Sequence, residues 1–261
     1  MFAQINNTAI HYYDSQNSDK PAIIFLHAFP LNHKMWMKQS KFFQTNYRVI
    51  AMDFRGFGVS ARCDYNYSMD LFANDVNALL DYLKIEKAIV VGLSMGGYVA
   101  FRLIENFPNK ISALILSSTR SEADSEEGKI LRKSTIEKIR VNGLKDFADG
   151  FVEKLFTSSA NSEDVKEIKE MILQNDSDSV IGALKALSER IDSTEFLQNI
   201  KVPTCIIVGE EDKLTPISCS ENLNSKIKNS EMNIIPKSSH LCNIEQSEIF
   251  NKIIFNFLKK I

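Results

Sequence analysis

Residues 88–107 impose the tightest constraint on what this chain can fold into. Residues 88–91 form an apolar, β-branched run, the pattern of a buried strand. Gly92-Leu93-Ser94-Met95-Gly96 follows at once, and a helical pattern then runs to about Phe107, with Pro108 just past its end. A strand that becomes a helix within so short a motif must turn sharply, so its central serine sits in strained backbone. The residues two before and two after it must be nearly without side chains, and Gly92 and Gly96 meet that need. The turn lifts the Ser94 hydroxyl clear of the sheet and sets it at a helix N-terminus, where backbone N–H groups favour developing negative charge. Ser94 is therefore a candidate nucleophile.

Around this unit, apolar runs alternate with helical patterns. Residues 3–13 read as a leading hairpin with Asn6-Asn7 at its turn. Residues 22–26, 47–52, 113–117, 204–208 and 232–235 read as strands. Residues 69–83 form an amphipathic helix with Leu71, Phe72, Val76, Leu79, Leu80 and Leu83 on one stripe, and residues 245–260 form a closing helix. Strands alternating with helices predict the α/β class, with a mostly parallel central sheet covered on both faces. From residue 120 to residue 199 the strand-like runs vanish, and charged amphipathic helices take over at roughly 124–141, 144–156, 162–175 and 178–190. The chain thus divides into a core of residues 1–119 and 200–261 and an inserted helical cap of residues 120–199. The cap is expected over the C-terminal edge of the sheet, where open α/β sheets bind ligands.

A serine hydroxyl is a weak nucleophile at neutral pH and needs a base in reach, and the base needs an orienting carboxylate. Four histidines are available: His11, His27, His33 and His240. Only His240 follows Ser94 in the chain, in the loop Pro236-Lys237-Ser238-Ser239-His240 beyond a strand. The preceding strand runs into Gly209-Glu210-Glu211-Asp212-Lys213-Leu214-Thr215-Pro216, where three carboxylates compete. An oxyanion needs two backbone donors. The N–H of Met95, next after Ser94, is one. The loop His27-Ala28-Phe29-Pro30 supplies the other; Pro30 has no N–H, which leaves Phe29. His27 reads as a structural residue beneath that loop. The glycines of Asp53-Phe54-Arg55-Gly56-Phe57-Gly58-Val59-Ser60 suit a tight turn beside the site, with Asp53 and Arg55 structural.

Five segments carry a family resemblance: H-A-F-P at 27–30, D-F-R-G-F-G-V-S at 53–60, G-L-S-M-G-G at 92–97, G-E-E-D-K-L-T-P at 209–216 and S-S-H-L-C-N-I-E at 238–245. In order and spacing they resemble the α/β-hydrolase superfamily over nearly the whole chain. Within it the chain is most similar to the small capped serine hydrolases, a group of carboxylesterases, enol-lactonases and cofactor-free haloperoxidases. The resemblance implies the α/β-hydrolase fold with an inserted helical cap. It implies Ser94 as nucleophile, His240 as base and Phe29 and Met95 as oxyanion-hole donors. The family's acid-loop pattern, G-x-x-D-x-x-x-P, implies Asp212 over Glu210 and Glu211. Three positions depart from the family: Ala28 and Ser239 where Gly is usual, and Ser247 where Pro often follows the glutamate. None removes a reacting group. The aspartate nucleophile of epoxide hydrolases and haloalkane dehalogenases and the cysteine of dienelactone hydrolases are replaced here by Ser94, and no tyrosine follows Tyr98.

The expected activity is that of a carboxylesterase, a serine hydrolase cleaving a small carboxylic ester through an acyl-enzyme. It needs no cofactor. No metal is expected, since there is no H-E-x-x-H and the histidines are scattered. The main alternative is a lactonase of the 3-oxoadipate enol-lactonase type. That reading calls for an anchor for a substrate carboxylate, and Arg120, just past a strand at the start of the cap, is the candidate, set against its plain reading as a surface arginine. A carbon–carbon bond hydrolase and a ligand-binding protein on a hydrolase scaffold are the further alternatives. The cap is expected to roof the Ser94 cleft with Leu144, Phe147, Phe151 and Phe156, which makes Phe147 and Phe151 substrate contacts. The partner is then a small ester or lactone. A formal net charge of −2 points to neither nucleic acid nor an anionic membrane surface. Cys63, Cys205, Cys219 and Cys242 form no C-x-x-C pair and read as isolated thiols. No apolar run approaches the ~20 residues that span a bilayer, and no signal-peptide pattern opens the chain, so a cytoplasmic protein is expected. Any homo-oligomeric state is not legible in the sequence.

Overall fold

The computed structural model describes residues 1–62 and 66–261. Its opening hairpin pairs β1 (Phe2–Ile5) with β2 (Thr8–Asp14), and Asn6 and Asn7 close it at φ 45° and 58°. Asparagine tolerates this left-handed region better than other side chains do. The sheet continues through β3 (Ala22–Leu26), β4 (Arg48–Met52), β5 (Ala88–Leu93), β6 (Ile111–Ser117), β7 (Thr204–Gly209) and β8 (Ser230–Ile235). The eight strands lie in the order β1-β2-β4-β3-β5-β6-β7-β8, with β1 and β2 antiparallel to their neighbours and every pairing from β4 to β8 parallel. Strands β3, β5 and β7 are buried throughout, as uninterrupted apolar runs require when both faces of a sheet are covered.

Alternate strand residues feed two cores. Ile24 and Leu26 of β3 join the cluster that holds Phe72, Val76 and Leu79 of α2 (Met69–Tyr82) and Val99 and Leu103 of α3 (Met95–Asn106). Ile23 and Phe25 join the other, with Trp36, Phe43 of α1 (Met37–Phe43), and Phe250 and Ile254 near the chain's end. The Ser68 side chain caps α2 by accepting from Leu71 N at 3.0 Å.

Between β6 and β7 come α4 (Glu126–Asn142), α5 (Leu144–Val152), α6 (Ser162–Leu173) and α7 (Ser177–Ser188). Ser125, Asn161 and Asp176 cap α4, α6 and α7. Helix α5 ends before the sequence pattern suggests. The turn that follows carries Leu155 and Phe156 into the second core, where the Leu155 carbonyl accepts from Leu241 N at 3.1 Å. Helix α8 (Ile217–Lys226), which the sequence reading does not anticipate, buries only Ser220 and Leu223 and so carries no apolar stripe. The expected closing helix is two: α9 (Cys242–Glu245) and α10 (Ser247–Leu258), separated by Gln246 at φ −127°, ψ 50°. The break lets Glu245 accept from Thr157 N (2.9 Å), Thr157 Oγ1 (2.7 Å) and Ser239 N (2.7 Å).

Cys205 and Cys242 are buried free thiols and Cys219 is half-buried and free; Cys63 lies outside the described residues. Among the described residues, no helix is long and apolar enough to cross a membrane.

Candidate active site

Strand order reverses direction at β3: β4 lies on one side of it and β5 on the other. Loops leaving the C-terminal ends of β3 and β5 therefore diverge and open a crevice. Leu26 and Gly92 are register partners at that edge. Ser94 follows at φ 54°, ψ −112°, a left-handed conformation that side chains rarely adopt. The flanking glycines explain how the turn is accommodated. A Cβ on Gly92 would meet the Gly96 carbonyl oxygen at 2.4 Å, and one on Gly96 would meet that of Leu26 at 2.1 Å. Strand β6 holds the turn from the other side. Ser94 N donates to Ser117 O at 3.0 Å, and the Thr119 hydroxyl donates to Ser94 O at 2.9 Å.

His240 and Asp212 leave the C-terminal ends of β8 and β7, and both are buried. His240 Nδ1 lies 2.9 Å from Asp212 Oδ2 and 3.1 Å from Oδ1. Asp212 also accepts from Leu214 N (2.9 Å), Thr215 N (3.0 Å) and Thr215 Oγ1 (2.7 Å). Burial alone would raise the Asp212 carboxyl, but His240 and Thr215 outweigh it and bring the carboxyl down to about 2. An ionised Asp212 only accepts, so Nδ1 of His240 carries the proton and Nε2 keeps its lone pair. Glu210 and Glu211 are exposed, and the Glu210 carboxylate accepts from Lys237 N at 3.2 Å. Of the three acids in this loop, Asp212 is the one set against His240.

Ser94, His240, Phe29, Met95, Arg120, Phe147 and Phe151 line one cavity of about 810 Å³. Among the described residues, no backbone carbonyl accepts from the N–H of Phe29 or Met95, and Met95 is the first residue of α3, where helical donors lack partners. The Phe29 ring stands 6.2 Å from that of Phe147 and 5.9 Å from that of Phe151, which stack on each other at 5.1 Å. The expectation that Leu144 and Phe156 share this roof is corrected. Leu144 joins the core cluster that contains Ile136 and Ile139, and Phe156 lies beyond the end of α5, out of phase with Phe147 and Phe151. Tyr98, Leu184, Leu187, Leu214 and Thr215 also line the cavity, a place the sequence reading does not give them. For Tyr98 a signal existed: it lies one helical turn past Ser94, on the same side.

The remaining histidines serve the scaffold. His27 is fully buried; its Nε2 accepts from Phe54 N at 3.0 Å, so Nδ1 carries the proton and donates to Ala28 O at 2.9 Å. Burial pushes its pKa down to about 4. His11 and His33, far apart in sequence, converge with Asp53 so that one polar atom of each lies within 4.8 Å of the others. Each oxygen of Asp53 accepts twice: Oδ1 from His33 N and Nδ1 at 2.7 Å, Oδ2 from His11 Nδ1 at 3.0 Å and Val59 N at 3.1 Å. Burial raises the Asp53 carboxyl, but the histidine hydrogen bonds outweigh that and hold it well below the usual range. Arg55 grips Asp75 through two 2.6 Å bonds. The 53–60 loop is thereby pinned beside the crevice.

Comparison with known proteins agrees with this architecture. The family model for the alpha/beta hydrolase fold matches residues 21–247. A 3-oxoadipate enol-lactonase of Acinetobacter baylyi is 29% identical over 257 residues, 97% of this chain and 94% of that protein. Among solved structures, a thermophilic esterase from Thermogutta terrifontis superposes with a TM-score of 0.94 at 31% identity, over 99% of this chain and 96% of that one. The enol-lactonase from Burkholderia xenovorans superposes with a TM-score of 0.93 at 26% identity, over 99% of this chain and all (100%) of its own.

Proposed function

This chain belongs to the alpha/beta hydrolase fold family, and from that premise we propose that it is a serine hydrolase cleaving small carboxylic esters through an acyl-enzyme. One observation carries the reading: His240, with Nδ1 2.9 Å from Asp212, opens on the same cavity as Ser94, whose backbone is held at φ 54°. His240 Nε2 takes the Ser94 proton as Oγ bonds to the ester carbonyl carbon. The oxyanion that forms is received by the N–H groups of Phe29 and Met95. Collapse breaks the carbon–oxygen bond, and the alcohol leaves with the proton from His240. Water then gives a proton to His240 and adds to the acyl carbon; the bond to Ser94 Oγ breaks, His240 returns its proton to Oγ, and the acid is released. No step needs a cofactor.

Residues 120–199 act as the cap, and the Phe147–Phe151 stack meets the acyl group. A second reading, lactonase, is supported by the similarity to two proteins named as enol-lactonases. The same Ser94 attack then opens a ring, and the alcohol stays on the acid. The test is a kinetic series of p-nitrophenyl esters of increasing chain length, run beside enol-lactones. Each added methylene that fits adds at most about 0.8 kcal/mol of binding. The rate should therefore climb over the first few carbons and collapse when the chain meets the aromatic wall. A maximum at long chains would overturn the roofed-cavity account, and preference for the lactones would favour the second reading.

A further inference from the structure

We propose that Met35 and Asn243 are positioning residues, which hold the Phe29 N–H at a set spacing and direction relative to His240. The proposal rests on the reading of Ser94 as nucleophile, His240 as base and Phe29 as oxyanion donor, and it names what keeps the last two in register.

A trans peptide is planar, so its C=O and N–H point in opposite directions. The Phe29 N–H shares a peptide unit with the Ala28 carbonyl. That carbonyl accepts from Leu31 N at 2.8 Å and from His27 Nδ1 at 2.9 Å, which occupies both lone pairs and sets the plane. The Phe29 N–H is thereby turned the other way, and Phe29 lines the cavity. The peptide before it is held as well: Ala28 N donates to the thioether sulfur of Met35 at 3.2 Å. With the planes on both sides of Ala28 fixed, its φ and ψ are fixed, and so is the aim of the Phe29 N–H.

Met35 is in turn fixed from the loop that carries the base. It sits buried in a short 3-10 helix (His33–Trp36), where its N–H donates to Asn32 O at 3.2 Å. Its carbonyl accepts from Asn243 Nδ2 at 3.0 Å. Asn243 belongs to α9 and follows His240 by three residues. The turn they share is closed on itself: Ser239 N donates to Glu245 Oε2 at 2.7 Å, and Glu245 N donates to Leu241 O at 3.1 Å. Gln39 of α1 secures the same turn, with Nε2 donating to Asn243 O at 2.9 Å and to Asn251 Oδ1 at 3.1 Å. A buried line of contacts therefore runs from the His240 turn through Asn243 and Met35 to the peptides on either side of Ala28.

Stability alone does not account for an asparagine at this place. Asn243 is fully buried, and among the described residues its Oδ1 accepts no hydrogen bond. A buried acceptor left unpaired costs free energy that an apolar side chain of like size avoids. What the amide supplies in return is the Nδ2 donor that holds Met35.

The experiment takes Met35→Leu, Asn243→Leu and the double variant, with p-nitrophenyl pentanoate as substrate and 1,1,1-trifluorohexan-2-one as probe. Ser94 Oγ adds to the carbonyl carbon of the ketone as its proton passes to His240, and the alkoxide that forms takes the place of the oxyanion. Each single variant should lower kcat about tenfold with KM within about twofold, and should weaken inhibition by the ketone about tenfold. The two residues act in series, so the double variant should be no more than about twofold worse than the weaker single one. Leucine conserves the volume of Met35 and removes the unpaired oxygen of Asn243, so Tm of each single variant should stay within about 5 °C of the wild type. A merely structural loss reduces the share of active protein; it lowers the apparent kcat and leaves Ki of the ketone unchanged. If Asn243→Leu does not fold, Met35→Leu decides alone. Unchanged inhibition by the ketone in folded Met35→Leu, or losses that multiply in the double variant, would overturn the proposal. Hydrolysis that survives Ser94→Ala would instead overturn the reading of the nucleophile beneath it.

Discussion

The carbonyl oxygen of Leu26 stands where a Cβ on Gly96 would come within 2.1 Å of it. The strand that leads to Phe29 and the turn that carries Ser94 therefore touch backbone to backbone. Gly96→Ala must push one away from the other. Overpacking of this kind costs about 1–3 kcal/mol, which in a chain of this size lowers Tm by roughly 5 °C. Displacing the N–H groups of Phe29 and Met95, the proposed oxyanion donors, should lower kcat by about a hundredfold. Thermal unfolding and an ester assay measure both, and a variant unchanged in both would contradict the close approach.

Asp212→Asn should lower kcat by about three to four orders of magnitude, because an amide can present the wrong atom to Nδ1 of His240. Glu210→Gln and Glu211→Gln, on exposed side chains, should leave kcat within about twofold. Thr215→Val, which removes the 2.7 Å donor to Asp212, should cost roughly tenfold, and Thr215→Ser should restore most of it. Steady-state kinetics on one short-chain ester rank the five variants. Greatest sensitivity at Glu210 or Glu211 would contradict the placement of the acid.

His27 makes stability depend on pH in a window of its own. Its folded pKa is about 4, below the ordinary 6.5, so between those values the unfolded chain binds the extra proton. Stability is fully present above pH 6.5 and falls as pH drops from there towards 4, by up to about 3 kcal/mol. Asp212 is depressed to about 2, so its contribution is lost only as pH falls below the ordinary 3.8, outside this window. Urea unfolding at pH 7 and pH 4.5 reads the difference. His27→Asn should flatten the slope by about one proton; an unchanged slope would place the effect elsewhere.

The sequence made the sheet and the sharp turn at Ser94 legible because both rest on local rules. Strands β3, β5 and β7 are buried on both faces and so carry unbroken apolar runs, while Gly92 and Gly96 mark a backbone collision that forbids a Cβ. The choice among Glu210, Glu211 and Asp212 came from family likeness, since adjacent carboxylates differ only in what the fold sets against them. Less could be read where long-range packing decides. Leu144 and Phe156 share the composition of Phe147 and Phe151, yet the end of α5 at Val152 sends Phe156 to the core. The meeting of His11, His33 and Asp53 follows from tertiary contacts that no periodicity encodes.

The most direct test of the account is covalent capture of the nucleophile. A serine-directed fluorophosphonate should add once per chain, with the adduct mapped to Ser94 by peptide mass spectrometry. Ser94→Ala should keep the wild-type circular dichroism spectrum, take up no label and lose at least about three orders of magnitude in kcat. An adduct on another residue, or an Ser94→Ala protein that hydrolyses esters at the wild-type rate, would contradict it.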